Sequence, residues 1–419
     1  MTYKANLHRS SSQLRATSIP RNQILVSAYR MRSEVFQLFG TALLGASRAS
    51  GAWQFPHASD YSTAQKPLGG PSDDDVDILH GSQFNGLTTY ANIPYINCFS
   101  DEAAESSSKY DIAILGAPFD TGVTARPGAR YGPRGIRAGS QRKYADFAWS
   151  VYTGENALQS WANVVDCGDV PLTFLDNNYA LAQLTKGHKV VSGRQAANRS
   201  YSATPRIITL GGDHTTTLPA LRSVHKHWGQ VSVIHFDSHI DTWDPQVLSG
   251  GISDYAALNH GTFLHIAHEE GLIRSSSIHA GIRAPLASAK GDIRNDERCG
   301  FARLTARDLD RFGVSGVVSR IRNRVTGPVY ISVDIDVLDP AFAPATGTPE
   351  PGGWSTRELL AILDGLTGLE VVGADVVEVS PAYDTRGETT TLAAAEVVWS
   401  LLELMVATPV KSLADLASS

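Results

Sequence analysis

The chain is poor in cysteine, with only Cys98, Cys167 and Cys299 in 419 residues. An odd, widely spaced set predicts neither a disulfide framework nor a zinc knuckle. Cys167 closes an apolar run and reads as a small buried filler. Positive charge is not in excess either. The 36 Lys and Arg against 42 Asp and Glu leave a net charge of −6, which argues against broad nucleic-acid binding, since that needs a basic surface. No apolar run is long enough to span a bilayer. No glycine-rich stretch ends in Gly-Lys-Ser/Thr, so a phosphate-loop reading is weak. What is left, 42% hydrophobic and 19% charged, is the composition of a soluble globular protein.

Acidic residues are absent from positions 1–33, where Lys4, Arg9, Arg15, Arg21, Arg30 and Arg32 sit among serines. That composition fits a mitochondrial transit peptide. A secretory signal starting at Met31 is ranked ahead of it: Arg32 supplies charge, Val35 to Ala46 an apolar core, and Ser47 to Ala52 a small-residue cleavage zone. The sequon Asn198-Arg199-Ser200 is compatible with secretion. Residues 1–52 are therefore read as a leader, 53–83 as a polar linker rich in Gly, Pro and Asp, and 411–419 as a C-terminal tail.

Residues 84–410 are read as one catalytic domain. Apolar runs at 112–115, 164–167, 207–210, 231–236, 277–281, 329–333 and 371–376 predict strands. Helical patterns at 180–197, 218–227, 356–366 and 391–406 fall between them. Strand–helix alternation predicts a three-layer α/β/α fold around a mainly parallel sheet.

Three of these strand ends carry unusual chemistry. The run ending at Leu210 leads into Gly211-Gly212-Asp213-His214, the run ending at Phe236 into Asp237-Ser238-His239-Ile240-Asp241, and the run ending at Val333 into Asp334-Ile335-Asp336. Side chains at i, i+2 and i+4 of an extended segment project to one side. Two imidazoles and four carboxylates can thus converge at the carboxyl edge of the sheet, where ligands of open α/β folds bind. Carboxylates packed that densely repel one another unless protons or cations intervene. Two divalent ions satisfy them, and mixed carboxylate–imidazole ligation suits manganese better than a thiolate-seeking metal.

These three segments resemble the signatures of the ureohydrolases, the arginase and agmatinase family. The resemblance extends to Leu338 through Gly353, to Glu378-Val379-Ser380-Pro381, to Gly116 through Asp120, and to Arg126 through Pro133. It implies the arginase-like fold and two Mn2+ per subunit. One ion would be held by His214, Asp237, Asp241 and Asp334, the other by Asp237, His239, Asp334 and Asp336. Ser238 stands where many members have alanine, and it is expected to point away from the metals.

The implied reaction is attack of a metal-activated hydroxide on a guanidinium carbon, with Asp241 counted among the catalytic residues. By position, His260 matches the proton-shuttling histidine and Glu378 the acid that grips guanidinium nitrogens; Thr348 is a further expected substrate contact. The segment from Asp241 to His260 resembles agmatinase-like members more than arginases. Agmatine, giving putrescine and urea, is the expected substrate, with Asp244 or Asp254 as candidates to meet its ammonium tail. Guanidinobutyrate is the alternative, and a non-catalytic metal-binding scaffold is the alternative of another class. A one-zinc deacetylase is disfavoured because the second-metal set is complete, and a dinuclear phosphoesterase because no Asn-His-Glu/Asp element is present. Arg126, Arg130 and Arg134 read as a structural loop or an anion site. His225, His227, His265, His268 and His279 read as packing or solvent residues. The resemblance also implies a homo-trimer or hexamer; charge and the lack of a long apolar run lead to the expectation of no nucleic-acid or membrane partner.

Overall fold

The computed structural model describes residues 86–100 and 109–417. The leader (1–52) and the linker (53–83) expected from sequence lie outside the described residues. Among the described residues eight strands form one sheet: β1 (Ile112–Gly116), β2 (Val164–Asp169), β3 (Arg206–Leu210), β4 (Ser232–Phe236), β5 (Ser277–Ile282), β6 (Phe301–Thr305), β7 (Val329–Asp334) and β8 (Val371–Val377). Their order is β2-β1-β3-β8-β7-β4-β5-β6, and every pairing is parallel. The main helices are α1 (Gly132–Gly139), α2 (Asn177–Ser192), α3 (Thr217–Trp228), α4 (Phe263–Glu269), α5 (Gly291–Arg298), α6 (Asp308–Arg324), α7 (Thr356–Asp364) and α8 (Thr389–Ala407).

Both faces of the sheet are buried, which explains why its strands are continuous apolar runs. On β4, Val233 packs into a cluster with Leu221, Trp228 and Phe263. Its neighbours Ile234 and Phe236 point the other way, into a cluster with Trp354, Val397 and Leu401. This is the period-2 alternation of a strand between two helical layers. Helix α8 is long and apolar enough to cross a membrane by composition, but 72% of that stretch is buried. It is the core helix of one layer, and its apolarity answers to the sheet.

All seven expected strands form. The eighth, β6, buries Phe301 and Leu304 with half-buried Ala302 and Arg303 between them, and its mixed composition carries no apolar run. Helix α2 stops at Ser192 rather than reaching Ala197 because Gly193 takes over its last carbonyls. Cysteine was misread. Cys98 and Cys167 form a disulfide that ties the segment before β1 to β2, with Cα atoms 5.4 Å apart; Cys299 is the free, buried cysteine. Two cysteines 69 positions apart carry no local spacing signal, and only the folding of one segment onto the other pairs them. Asn198 of the sequon spends its amide on Asp111 Oδ2 and the Trp161 carbonyl.

The strand order decides where the chemistry lies. The chain passes from β3 to β4 across a gap that β7 and β8 later fill. The carboxyl ends of β3, β8, β7 and β4 are therefore adjacent. They bring together residues 214, 237–241, 334–336 and 378.

Candidate metal centre and active site

His214 opens the short 3-10 turn after β3, and its ring is fully buried. Its Nδ1 lies 3.1 Å from Asp237 Oδ2, 3.1 Å from Asp241 Oδ2 and 3.3 Å from Asp334 Oδ2. On the second side, His239 Nδ1 lies 3.3 Å from Asp237 Oδ1 and 3.1 Å from Asp336 Oδ2. The six residues expected from sequence thus gather into two adjoining groups, with Asp237 facing both.

Hydrogen bonds aim these groups. Asp375, inside β8, accepts from Ser332 Oγ, Thr217 Oγ1 and Tyr330 Oη. The Ser332 hydroxyl has one hydrogen, which Asp375 takes, so Ser332 can only accept from His214 Nε2 at 2.8 Å. The remaining nitrogen, His214 Nδ1, is left as a lone pair facing three carboxylate oxygens. Each of three carboxylates is pinned by one oxygen: Asp237 Oδ1 by the His239 amide, Asp334 Oδ1 by the Asp336 amide, and Asp336 Oδ1 by the Ser238 amide. Their second oxygens turn toward the imidazoles.

His214 Nδ1 and Asp237 Oδ2 are buried and have no hydrogen-bond partner among the described residues. A lone pair held against three acceptors is repulsive unless a cation lies between them. Burial and neighbouring carboxylates push the Asp334 and Asp241 carboxyls upward, so the cluster needs counter-charge to stay ionised. Donors about 2.2 Å from one divalent ion and at right angles to each other lie ~3.1 Å apart, the spacing seen around His214. The donor set fits divalent metal.

A cavity of about 110 Å³ opens onto these groups and is lined by His239, Asp241 and Asp334 together with Thr124, Trp243, His260 and Thr348. Glu378 follows β8 and is buried, with Oε1 accepting from the His214 amide and lying 3.2 Å from His260 Nδ1. Its Oε2 has no partner among the described residues. Thr124 Oγ1 meets His260 Nε2 at 2.9 Å. Burial lowers the His260 pKa, but Glu378 outweighs it, and Asp241 and Asp213 add to the rise, to about 9. Burial, reinforced by Glu378, lifts the Asp213 carboxyl to about 7. Asp241 and Glu378 both sit at left-handed backbone, φ 50° and 60°. Non-glycine residues hold such angles at a cost of about 1–3 kcal/mol, mostly at functional sites.

Other expectations meet different fates. Ser238 does not point away: its hydroxyl donates to Asp336 Oδ1 at 2.7 Å and lies 3.1 Å from His239 Nδ1. The residue follows the end of β4, where the turn replaces strict alternation. Thr348 Oγ1 reaches Asp336 Oδ2 at 3.4 Å. Asp244 caps the next helical turn by accepting from the Gln246 amide, and Asp254 lies exposed in another short turn. Arg130 pairs with Asp120 at 2.5 Å and lies over Phe174, while Arg126 lies over Tyr383; both serve the loop. His279 is not ordinary packing, since it bonds His235 and Asp296. Sequence reading also missed His235, Ser332 and Asp375, polar residues inside apolar strands, where a buried polar side chain itself signals a partner.

Acidic and imidazole donors caged at the carboxyl edge of a parallel α/β sheet define a metal-dependent hydrolase. The sequence profile of the arginase family matches residues 110–403, and the chain belongs to that family as a ureohydrolase. It is 50% identical over 339 residues to a Schizosaccharomyces pombe protein provisionally named agmatinase 1, covering 78% of this chain and 84% of the relative. An agmatinase of Neisseria meningitidis is 38% identical over 302 residues, covering 71% and 88%. The solved structure of proclavaminate amidino hydrolase from Streptomyces clavuligerus superimposes with a TM-score of 0.68 at 33% identity, covering 78% of this chain and 99% of that one.

Proposed function

We propose that this chain is a dinuclear manganese hydrolase that cleaves agmatine to putrescine and urea. The observation that carries the reading is Glu378 Oε2, a buried carboxylate oxygen with no partner among the described residues, beside a cage of candidate metal donors. Guanidinium N–H groups satisfy such an oxygen with charge-assisted bonds. His214, Asp237, Asp241 and Asp334 would hold one ion, and Asp237, His239, Asp334 and Asp336 the other. Such a pair supplies a hydroxide-strength nucleophile near neutral pH.

The chain's own residues do the rest. Glu378 orients the guanidinium so that its carbon faces the cage. After addition of hydroxide to that carbon, the bond to the alkyl nitrogen breaks. The departing amine takes a proton from His260, which Glu378 keeps protonated at neutral pH. No lysine or arginine lines the cavity among the described residues. A substrate carboxylate would find no counter-charge there, which favours agmatine over arginine and guanidinobutyrate. Urea release from manganese-loaded protein, compared across these three substrates and with Asp334→Asn as control, tests the reading. Agmatine should dominate, and no urea from any guanidine would overturn the assignment.

A further inference from the structure

Helix α8 is an apolar core helix whose only charged residues are Glu396 and Glu403. They are seven residues apart with Ser400 between them, so all three stand in one row on one side of the helix. A groove follows that row, bounded by α8, the end of α7 and the loop that joins α1 to β2. It consists of one cavity of about 390 Å³ and another of about 450 Å³, which share Ser150, Tyr152, Asp364, Ser400 and Glu403 as walls. None of these residues lines the cavity at the metal cage.

Charge along the groove is unbalanced. Lys143 pairs with Glu396 and lies over the Trp399 ring. The larger cavity is lined by Glu155, Asp364 and Glu403, and by no lysine or arginine among the described residues. Burial raises the carboxyls of Asp364 and Glu403, and Asp364 adds to the rise at Glu403. A cation between them relieves both. Ser400 is a second and independent sign of a ligand. The hydroxyls of Ser160 and Thr367 in the same cavity donate to main-chain carbonyls. The Ser400 side chain is only 7% exposed, lines both cavities and has no hydrogen-bond partner among the described residues. A buried hydroxyl left in that state is costly, and a ligand N–H satisfies it. Leu404 and Val406 supply an apolar wall beside the acids. The space is that of a small organic molecule rather than a bare metal ion.

We propose that this groove binds a linear alkyl diammonium, with its alkyl body against Leu404 and Val406 and its charged ends on Asp364, Glu403 and Ser400. Putrescine, the product of the proposed reaction, belongs to this chemical class. Only the choice of probe rests on that reading; the site itself stands apart from the cage.

Isothermal titration calorimetry of the manganese-loaded full chain with putrescine tests the proposal. The wild type should show a diamine site that the double variant Asp364→Asn/Glu403→Gln weakens about 10-fold or more. Ser400→Ala should weaken the same site roughly threefold. Asp334→Asn, at the cage, should leave it unchanged, and the uncharged diol of the same length should not compete for it. The double variant should release urea with the wild-type kcat, which shows that it is folded. Equal putrescine affinity in wild type and double variant, or no binding to either, overturns the proposal. So does a groove covered by a second copy of the chain, seen in light scattering as self-association that the double variant abolishes. Each of these results leaves the hydrolase reading to be decided separately by the urea assay.

Discussion

His260 Nδ1 stands 3.2 Å from Glu378 Oε1, joining the loop after β4 to the end of β8. Burial alone would lower the histidine's pKa, but this carboxylate raises it to about 9. A folded value above the unfolded one, near 6.5, means that the pairing stabilises fully below about pH 6.5 and is lost as pH rises through 9. If His260 donates the proton to the amine, kcat should fall on the alkaline side through the same range. His260→Asn should cost about 10²–10⁴ in kcat and abolish that limb. Thr124→Val, which removes the acceptor at Nε2, should move the limb to lower pH; an unmoved limb would exclude His260 as the titrating group.

Asp375 never touches the cavity, yet it decides which nitrogen of His214 carries a proton. Ser332→Ala or Asp375→Asn should weaken manganese binding about 10- to 100-fold. Metal-free variants should keep the wild-type circular dichroism. Titration with manganese, followed by thermal unfolding, checks this: the wild type should gain more stability per ion than either variant.

Ser238 donates to Asp336 Oδ1, but the Ser238 amide holds the same oxygen. Ser238→Ala should therefore weaken only the His239-side ion, by about threefold. Manganese stoichiometry at limiting metal is the readout. Loss of both ions would show that the hydroxyl does more than this second bond suggests.

The Cys98–Cys167 bridge closes a loop of 69 positions, for which chain entropy predicts a contribution of about 4 kcal/mol. The double variant Cys98→Ser/Cys167→Ser should lower the denaturant midpoint without changing KM. Adding reductant to the wild type should reproduce the shift. Identical unfolding curves with and without reductant would show that the thiols do not pair in solution.

The six expected donors were legible because each cluster lies within five residues of a strand end, so adjacent strand ends gather them even though 3-10 turns and the left-handed Asp241 replace strict alternation there. Glu378, His260 and Thr348 were legible only through likeness to a family, since a lone His or Glu carries no spacing signal. His235 and His279 look in sequence like polar interruptions of apolar strands. Their pairing needs β4 and β5 side by side in a particular register, His235 opposite His279.

By itself the sequence determined the parallel α/β/α architecture, the strand ends that carry chemistry and the demand of four carboxylates for cations. These are local properties of periodicity, charge and spacing. The tertiary structure decided strand order, and with it every relationship across strands: the insertion of β7 and β8 beside β3, the disulfide, the lock of Asp375 on His214, and the pairing of His235 with His279. Hydrogen-bond direction depends on atoms brought together from distant segments, and no local pattern encodes it.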